Sequence, residues 1–272
     1  MRAHFIKALP LLALLLVAAD AKAPRSGTVK SVYDGDTFTL DTGDKVRVAA
    51  INTPELRPAE DYGVEAREAT DAFLGGKTVT LVYGSVERDS YGRLLAWVEV
   101  EGESLPEHLL SLGLAHVFLI PPIEVGDVEA LLAAQEKARA AERGIWSTEH
   151  YKGTLHITSF HANAPGDDRE NVNGEYLRLC NVSPSDLNVD GYRIADASGN
   201  SYPFPAMVIP AGHTVKVHSG KGEHQLDPSS QLAIHLGSDS PIWNNSKDRA
   251  TIYDRYGQVV DSRDHAVKKA TP

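Results

Sequence analysis

The pattern of hydrophobic residues changes once along this chain, near residue 151, and this change limits the possible folds more than any other feature. Before it, strand-like alternation is mixed with helical spacing, most clearly over 127–143, which Gly144 follows. After it, alternating segments of four to seven residues are separated by Gly, Pro, Asn, Asp and Ser. The chain has 272 residues, which is enough for two domains. We therefore predict a mixed domain over 24–150, an all-β domain over 154–262 and a short tail over 263–272.

The first domain carries the signals of five strands and three helices. The strands are expected at 27–34 followed by 37–40, and at 45–51, 77–83, 94–100 and 114–120; the helices are expected at 62–74, 105–112 and 127–143. This combination in about 125 residues predicts a small barrel capped by helices. In the second domain, many short strands with turn residues between them predict a β-sandwich. These strands are expected at 154–160, 176–181, 192–196, 214–218, 231–235, 251–253 and 259–261.

The first 23 residues have the pattern of a signal peptide. Arg2, His4 and Lys7 form a basic start, and the apolar run over 8–19 is shorter than a membrane-spanning helix needs. Small residues suited to cleavage lead up to Ala21 and Ala23, and the first of these sites avoids leaving Pro24 at the new N-terminus. The alternatives are a membrane anchor or a buried helix. We predict export to the periplasm or the medium, with no transmembrane segment in the mature chain.

The charge is unevenly distributed between the two domains. The whole chain carries a formal charge of −10. Residues 24–150 hold 12 Lys and Arg against 22 Asp and Glu, whereas 151–272 hold 12 against 14. An acidic protein exerts no long-range attraction on a polyanion, so nucleic-acid binding would depend on a local arginine cluster and a bound cation. This balance argues against a high-affinity nucleic-acid-binding module and less against an enzyme, which must release its product.

Several residues of the first domain are suited to chemistry on a phosphodiester. Asp34 and Asp36 flank a glycine, and hard cations prefer such oxygen ligands. Glu55 follows a proline at the end of a predicted strand, where a general base is well placed. Arg47 and Arg93 each carry a guanidinium group, and the two groups together can bind one phosphate. Taken singly, each of these features is also typical of an ordinary turn or a solvated charge.

Together, in this order and spacing, these features resemble the staphylococcal nuclease (thermonuclease) family over residues 27–147. The matching stretches are Val32-Tyr33-Asp34-Gly35-Asp36-Thr37, Val46-Arg47-Val48, Asn52-Thr53-Pro54-Glu55, Tyr62-Gly63-Val64-Glu65-Ala66, Asp89-Ser90-Tyr91-Gly92-Arg93 and Gly144-Ile145-Trp146. The resemblance implies a five-stranded oligonucleotide-binding (OB) barrel and cation-dependent cleavage of DNA and RNA by water. It implies Ca²⁺ as the cation, with Mg²⁺ or Mn²⁺ as alternatives.

The resemblance also assigns roles by position. It implies that Arg47 and Arg93 clamp the phosphate, that Glu55 is the general base or positions the water, and that Asp36, Asn52 and the Thr53 carbonyl bind the cation. Asp34, Tyr91 and Phe118 are expected to border the substrate, Asp34 as part of the acidic surround and the two rings as stacking faces.

Three departures from the family pattern bear on these roles. Asn52 replaces an aspartate, which weakens the expected cation site. The loop over 56–61 is short and acidic where the family prototype has a flexible basic loop, and only Phe118 stands where the prototype has tyrosines. The alternative is therefore a catalytically weak module that binds nucleic acid or the cell envelope and keeps the nuclease fold.

The second domain resembles the lamin-tail domain, an immunoglobulin-like sandwich. The matching stretches are 175–181, 187–196, 202–205, 209–212, 242–245 and 251–254. The resemblance indicates a fold more firmly than a function, and nucleic acid, cell envelope and another protein remain open as partners. The chain is expected to act as a monomer. Its single cysteine, Cys180, is expected to lie buried in a strand.

Overall fold

The computed structural model describes residues 23–122 and 124–266, so the predicted leader over 1–23 lies outside them except for Ala23. The first half contains strands β1 (Ser26–Val32), β2 (Thr37–Leu40), β3 (Lys45–Val48), β4 (Ile51–Asn52), β5 (Thr78–Val82), β6 (Leu94–Val100), β7 (Glu103–Ser104) and β8 (His116–Val117), and helices α1 (Gly63–Leu74), α2 (Leu105–Leu112) and α3 (Val128–Ala140). Short 3-10 turns follow at Gly144–Ser147 and Glu149–Tyr151. Within the described residues, no helix combines the length and apolar character needed to cross a membrane.

Five strands of the first half close into a barrel. β1 pairs antiparallel with β2 and β5, β2 with β3, and β5 with β6, and a parallel pairing of β3 with β6 completes the circle. Inward-facing residues alternate along these strands, so Phe38, Val46, Val48 and Leu94 are fully buried. The predicted OB barrel is confirmed.

The three helices begin within one residue of their expected starts, and α1 and α2 end as expected, whereas α3 ends at Ala140, three residues before its expected end. The Ser104 side chain accepts a hydrogen bond from the Glu107 amide (3.2 Å) at the start of α2, and Gly113 ends that helix with a positive φ of 70°. Asp127 caps α3 in the same way through the Ala130 amide (3.1 Å). Leu105, Leu109, Leu110 and Leu131 have no exposed surface, so both helices cover the barrel with apolar faces.

The second half is a sandwich of two four-stranded sheets. Its strands are β9 (Leu155–His161), β10 (Tyr176–Asn181), β11 (Leu187–Asn188), β12 (Arg193–Ala195), β13 (Ser201–Pro203), β14 (Val208–Ile209), β15 (Thr214–Gly220), β16 (Leu232–Ser238), β17 (Lys247–Tyr253) and β18 (Val259–Ala266). One sheet has the order β16-β15-β10-β9 and the other β13-β12-β17-β18, with β11 and β14 forming a separate pair. The predicted immunoglobulin-like sandwich is confirmed, although the sequence did not indicate β11, β13 and β14, each of which has only two or three residues.

The predicted strand over 114–120 is wrong in its length. Only His116 and Val117 form a strand, which pairs with β4. Leu119 instead pairs with His213 of the sandwich, so that its amide donates to the Gly212 carbonyl (2.8 Å) and its carbonyl accepts from the Thr214 amide (3.1 Å). The apolar run is thus divided between two partners, which strand alternation cannot reveal.

This pairing is the centre of an extensive contact between the two halves. Ala138, Ile145, Trp146 and Tyr151 of the first half form one buried cluster with Cys180 and Val182 of the sandwich. The Cys180 thiol, fully buried as expected, donates to the Val117 carbonyl (3.3 Å), and Arg139 Nη1 donates to the Val182 carbonyl (2.8 Å). The contact fixes the sandwich beside one face of the barrel.

Candidate functional site

Two buried carboxylates lie in the loop between β1 and β2. Asp34 and Asp36 are each 6% exposed, and Asp34 Oδ1 accepts from the Asp36 amide (3.1 Å). Asp36 Oδ1 accepts from the Thr37 hydroxyl (3.0 Å), and its Oδ2 from the Thr53 amide (3.1 Å). The glycine between them is needed for close approach, because a Cβ on Gly35 would lie 2.7 Å from Thr53 Oγ1.

Arg47 is not an ordinary solvated strand arginine. Its side chain is 11% exposed, and Nη2 lies 3.1 Å from both Asp36 Oδ2 and Asn52 Oδ1. Nη1 donates to the carbonyls of Val48 and Ile51. These bonds fix the guanidinium between the buried aspartates and the strand that carries Asn52.

Glu55 lies on the loop between β4 and α1, where its side chain opens to solvent. Its own amide donates to Glu60 Oε2 (2.9 Å), which holds the loop in place. Partial burial by the surrounding walls, together with the charges of Asp36 and Glu60, raises the pKa of Glu55 above its ordinary value. Burial and the charges of Asp36 and Glu55 raise the pKa of Asp34 to about 7. The carboxyl groups around Arg47 therefore lie close enough together to disfavour the ionised forms of Asp34 and Glu55.

Arg93 is held differently from Arg47. It follows the turn between β5 and β6, in which Gly92 has a φ of +78°. Its Nε donates to Asp89 Oδ2 (2.7 Å), and its backbone amide donates to Asp89 Oδ1 (3.0 Å). In the described part of the chain, Nη1 and Nη2 of Arg93 make no hydrogen bond. The guanidinium is held in place and presents two free donor nitrogens. The Tyr91 ring, 71% exposed, lies 5.5 Å from its Cζ.

One cleft with a volume of about 920 Å³ brings these segments together. Eight of the nine residues singled out in the sequence line it: Asp34, Asp36, Arg47, Asn52, Glu55, Tyr91, Arg93 and Phe118. The ninth, Thr53, is only 2% exposed and lies behind Asp36. The Phe118 ring is 6.0 Å from the Arg47 guanidinium carbon.

The sandwich forms a further wall of this cleft, which the sequence did not predict. That wall consists of Thr158, Ser159, His161, Tyr176, Arg178 and Lys216. The alternation of apolar and polar residues around Arg178 and Lys216 does indicate that both side chains face away from the sandwich core. It cannot indicate that this face is turned towards the barrel.

The residues around Asp36 fit a hard divalent cation. Burial and the charges of Asp36 and Glu55 raise the pKa of Asp34, burial and the charge of Asp36 raise that of Glu55, and a cation would relieve the repulsion. Thr53 Oγ1 is buried without a hydrogen-bond partner. The Asn52 amide is the weak member, because its oxygen accepts from Arg47 and its nitrogen donates to the Thr53 carbonyl (3.3 Å). The described residues contain no group of three or more His, Cys, Asp or Glu arranged to hold a metal.

A contact from the sandwich reaches the Glu55 loop. Arg263 on β18 forms an ion pair with Glu60, whose other carboxylate oxygen accepts from the Glu55 amide. The two paired side chains are 20% and 25% exposed. Arg263 Nη1 also donates to the Ile157 carbonyl (2.8 Å), so the guanidinium is anchored within the sandwich. The sandwich therefore helps to hold the loop that carries Glu55.

We expect Arg263→Gln and Glu60→Gln each to lower the free energy of unfolding, and the double variant to lower it by less than the sum. The reason is that either single change leaves the other charge partly buried without its partner. Urea unfolding of the four proteins should give a coupling of about 0.5–3 kcal/mol. Arg255→Gln, an exposed arginine of the same domain, is the control and should not couple to Glu60. Additive changes would show that the pair contributes nothing to stability.

Comparisons with known proteins match each half of the chain to a protein family. The family model described as staphylococcal nuclease homologue matches residues 45–148, and that of the lamin tail domain matches residues 148–266. The thermonuclease of Staphylococcus hyicus is 35% identical over 123 residues, which is 43% of this chain and 72% of the relative. The thermonuclease of Staphylococcus intermedius is 33% identical over 125 residues, covering 43% of this chain and 74% of that protein. An uncharacterized endonuclease of Escherichia coli is 32% identical over 124 residues, covering 44% and 76%.

Proposed function

The chain belongs to the staphylococcal nuclease family and carries a lamin-tail domain after the nuclease barrel, and we propose that it is a divalent-cation-dependent nuclease acting at the cleft. It hydrolyses phosphodiester bonds of nucleic acid, with DNA and RNA as the candidate substrates. The observation that carries the proposal is that Arg47, Glu55 and Arg93, from three separate segments, line one cleft.

In this proposal the two arginines bind the phosphate and Glu55 handles the proton. Arg93 donates from its free Nη groups to non-bridging oxygens, while Arg47 supplies a second positive charge from the floor of the cleft. Glu55 accepts the proton of the attacking water as the new oxygen–phosphorus bond forms and the old one breaks; the leaving oxygen takes a proton from solvent. The raised pKa of Glu55 makes it a stronger base than a glutamate with an ordinary pKa.

Asp36 and the Thr53 carbonyl would hold the cation, with Asn52 as a further neutral ligand once its oxygen is released from Arg47. A bound cation would supply charge neutralisation for the phosphate. Ca²⁺ is the proposed ion, and Mg²⁺ and Mn²⁺ are the alternatives. Asp34 stays in the acidic surround, and Tyr91 and Phe118 offer rings to the bases.

We expect cleavage of plasmid and single-stranded DNA in the presence of one of these cations, and a loss of at least about 100-fold on chelation. Asp36→Asn should abolish activation by the cation, because it removes the carboxylate nearest to Thr53. Asn52→Asp should lower the half-activating cation concentration about tenfold, because it adds a charged ligand. Titrations of activity with each cation measure both effects.

The exposed Asp71→Asn on α1 is the control and should leave the cation titration unchanged. Full activity in chelator would contradict the cation requirement. Absence of cleavage with every cation, in a protein that still unfolds cooperatively, would favour the binding module over the nuclease.

Three further predictions remain proposals. We propose that the chain is exported, although residues 1–22 of the predicted signal peptide over 1–23 lie outside the described residues. We propose that it works as a monomer. We also propose that nuclease and lamin-tail domains divide at 150–154, and limited proteolysis with N-terminal sequencing of the secreted protein tests both the processing and the division.

A further inference from the structure

The wall that the sandwich contributes to the cleft is basic and aromatic. Arg178 and Lys216 face each other across the pairing of β10 and β15. Tyr176 lies two residues before Arg178 on the same face, and it pairs with His161 on β9. Their neighbours Leu177 and Leu179 are fully buried in the sandwich core, so alternation directs the polar set outwards. We call His161, Tyr176, Arg178 and Lys216 the tail wall.

The two cations of the tail wall have no acidic partner. In residues 23–122 and 124–266, no carboxylate oxygen lies within 4.0 Å of the charged nitrogens of Arg178 or Lys216. Arg178 Nη1 donates to Gln231 Oε1 (2.6 Å), which fixes its direction without neutralising it. Burial and the Arg178 charge lower the pKa of Lys216. Two adjacent, half-buried, unneutralised cations in an acidic protein are suited to bind anionic groups.

The aromatic part of the tail wall is already arranged by stacking. The Tyr176 and His161 rings stack with centroids 4.2 Å apart, and the Lys216 ammonium lies 3.9 Å from the Tyr176 ring centre. Burial raises the pKa of Tyr176, and the nearby Tyr91 hydroxyl of the barrel contributes. Tyr91, beside Arg93 in the barrel, and Tyr176, beside Arg178 in the sandwich, both line the cleft.

The position of the tail wall is fixed by the contact between the two halves. Thr214, whose amide donates to the Leu119 carbonyl, is the first residue of β15, and Lys216 lies two residues further along that strand. The same cleft is lined by Arg47, Glu55 and Arg93. A nucleic-acid strand bound at the tail wall would therefore lie next to a phosphate bound by the barrel arginines, Arg47 and Arg93.

We propose that the tail wall is a second substrate-binding site, which holds a single-stranded segment of nucleic acid next to the phosphate being cleaved. Arg178 and Lys216 bind backbone phosphates; Tyr91 offers a stacking face to unpaired bases, and Tyr176 offers another when Lys216 leaves its ring to bind a phosphate. We assign the site to single-stranded rather than double-stranded nucleic acid because aromatic rings stack on unpaired bases, whereas the bases of a duplex are already stacked on each other. The inference rests on the proposed nuclease function, since that function places the scissile phosphate in the cleft.

Binding of fluorescently labelled oligothymidylate to full-length protein tests the proposal. All proteins carry Glu55→Gln to prevent cleavage, and a 12-mer is compared with a 2-mer that fills only the barrel side. Arg178→Gln with Lys216→Gln should weaken 12-mer binding by about 10–100-fold and leave the 2-mer unchanged. It should also reduce the slope of log K against log salt by about 1.4, which corresponds to two single-strand phosphate contacts. Tyr176→Ala should weaken 12-mer binding about tenfold without changing that slope.

The matched control is Lys247→Gln with Arg255→Gln, which removes two exposed charges from the same domain away from the cleft. It should change neither affinity nor slope. Because Arg178 also bonds to Gln231, Lys216→Gln alone is included. The Lys216 ammonium makes no hydrogen bond among the described residues, and this variant should still reduce the slope by about 0.7.

The outcomes separate this proposal from the nuclease function, which is measured in parallel on the unsubstituted protein. Unchanged 12-mer affinity and slope in the Arg178 and Lys216 variants overturn the tail wall, whether or not the protein cleaves DNA. If 12-mer binding depends on Arg178 and Lys216 but the unsubstituted protein cleaves no nucleic acid, the result supports the tail wall and contradicts the proposed nuclease function. An equal loss of affinity for a 12-base-pair duplex overturns the assignment to single strands.

Discussion

Replacing Glu55 with glutamine is expected to lower the rate of DNA cleavage by about 10²–10⁴-fold, the usual contribution of a positioned general base. Glutamine has nearly the same shape but cannot accept the proton of the attacking water. The fold should not change, because the Glu55 backbone rather than its carboxylate makes the bond to Glu60. Single-turnover cleavage of a labelled oligonucleotide at saturating cation measures the effect on the chemical step.

The control for this prediction is Glu68→Gln, an exposed glutamate of α1 that lies outside the cleft. It should cleave at the unsubstituted rate. Cleavage by the Glu55 variant at more than about one tenth of that rate would contradict the role of general base and leave Glu55 at most a group that orients the water. Thermal unfolding of both variants verifies that neither has lost structure.

Arg93→Ala is expected to lower cleavage by about 10²–10³-fold, the typical effect of removing one donor to a developing negative charge. The two Nη groups of Arg93 have no partner in the described chain, so they are free to bind the phosphate, while Asp89 holds the rest of the side chain in place. Lysine at this position should restore only part of the rate, because an ammonium group cannot donate in two parallel directions. The measurement is again single-turnover cleavage, with substrate affinity determined separately.

The neighbouring Arg88→Ala is the matched control for Arg93. Arg88 donates to Asp44 Oδ1 (3.1 Å) and to the Gly92 carbonyl (2.9 Å), and it does not line the cleft. Its loss should lower activity less than tenfold. Equal effects of the two substitutions would show that Arg93 supports the loop and does not contact the phosphate.

Arg47 provides a less direct test of phosphate binding. Its guanidinium donates to two backbone carbonyls and to Asn52 and lies beside Asp36, so its removal would leave a buried carboxylate uncompensated. A loss of activity in Arg47→Ala would therefore combine lost phosphate binding with a disturbed site. Arg93 separates the two effects because its contacts are confined to one surface loop.

The barrel half of the cleft was predictable from sequence because its residues lie within short local motifs. Asp34 and Asp36 come from one turn, and Glu55 lies three residues after β4, the strand that pairs with β8. Turn residues and the alternation of a strand are patterns of only a few neighbouring residues, so both can be read from the sequence. The same locality explains why α2 begins and ends, and α3 begins, close to the predicted positions.

The electrostatics of the cleft could not be predicted in the same way. The sequence shows aspartates and an arginine at 34, 36 and 47, but it does not show that burial raises the pKa of Asp34 to about 7. It also does not show that the Asn52 oxygen is engaged by Arg47. Desolvation and hydrogen-bond partners depend on what surrounds a group in space, and those neighbours come from distant parts of the chain.

The sequence by itself determined the two fold classes and their order along the chain, and it indicated residues that line the proposed nuclease cleft, because periodicity and motif spacing are local properties of the chain. Only the tertiary structure decided that the apolar run over 114–120 divides between barrel and sandwich, and that Arg178 and Lys216 face the cleft. Alternation places a side chain on one face of a sheet, but the direction of that face depends on how two domains pack. That packing comes from the buried cluster around Trp146 and Cys180, whose members are far apart in sequence.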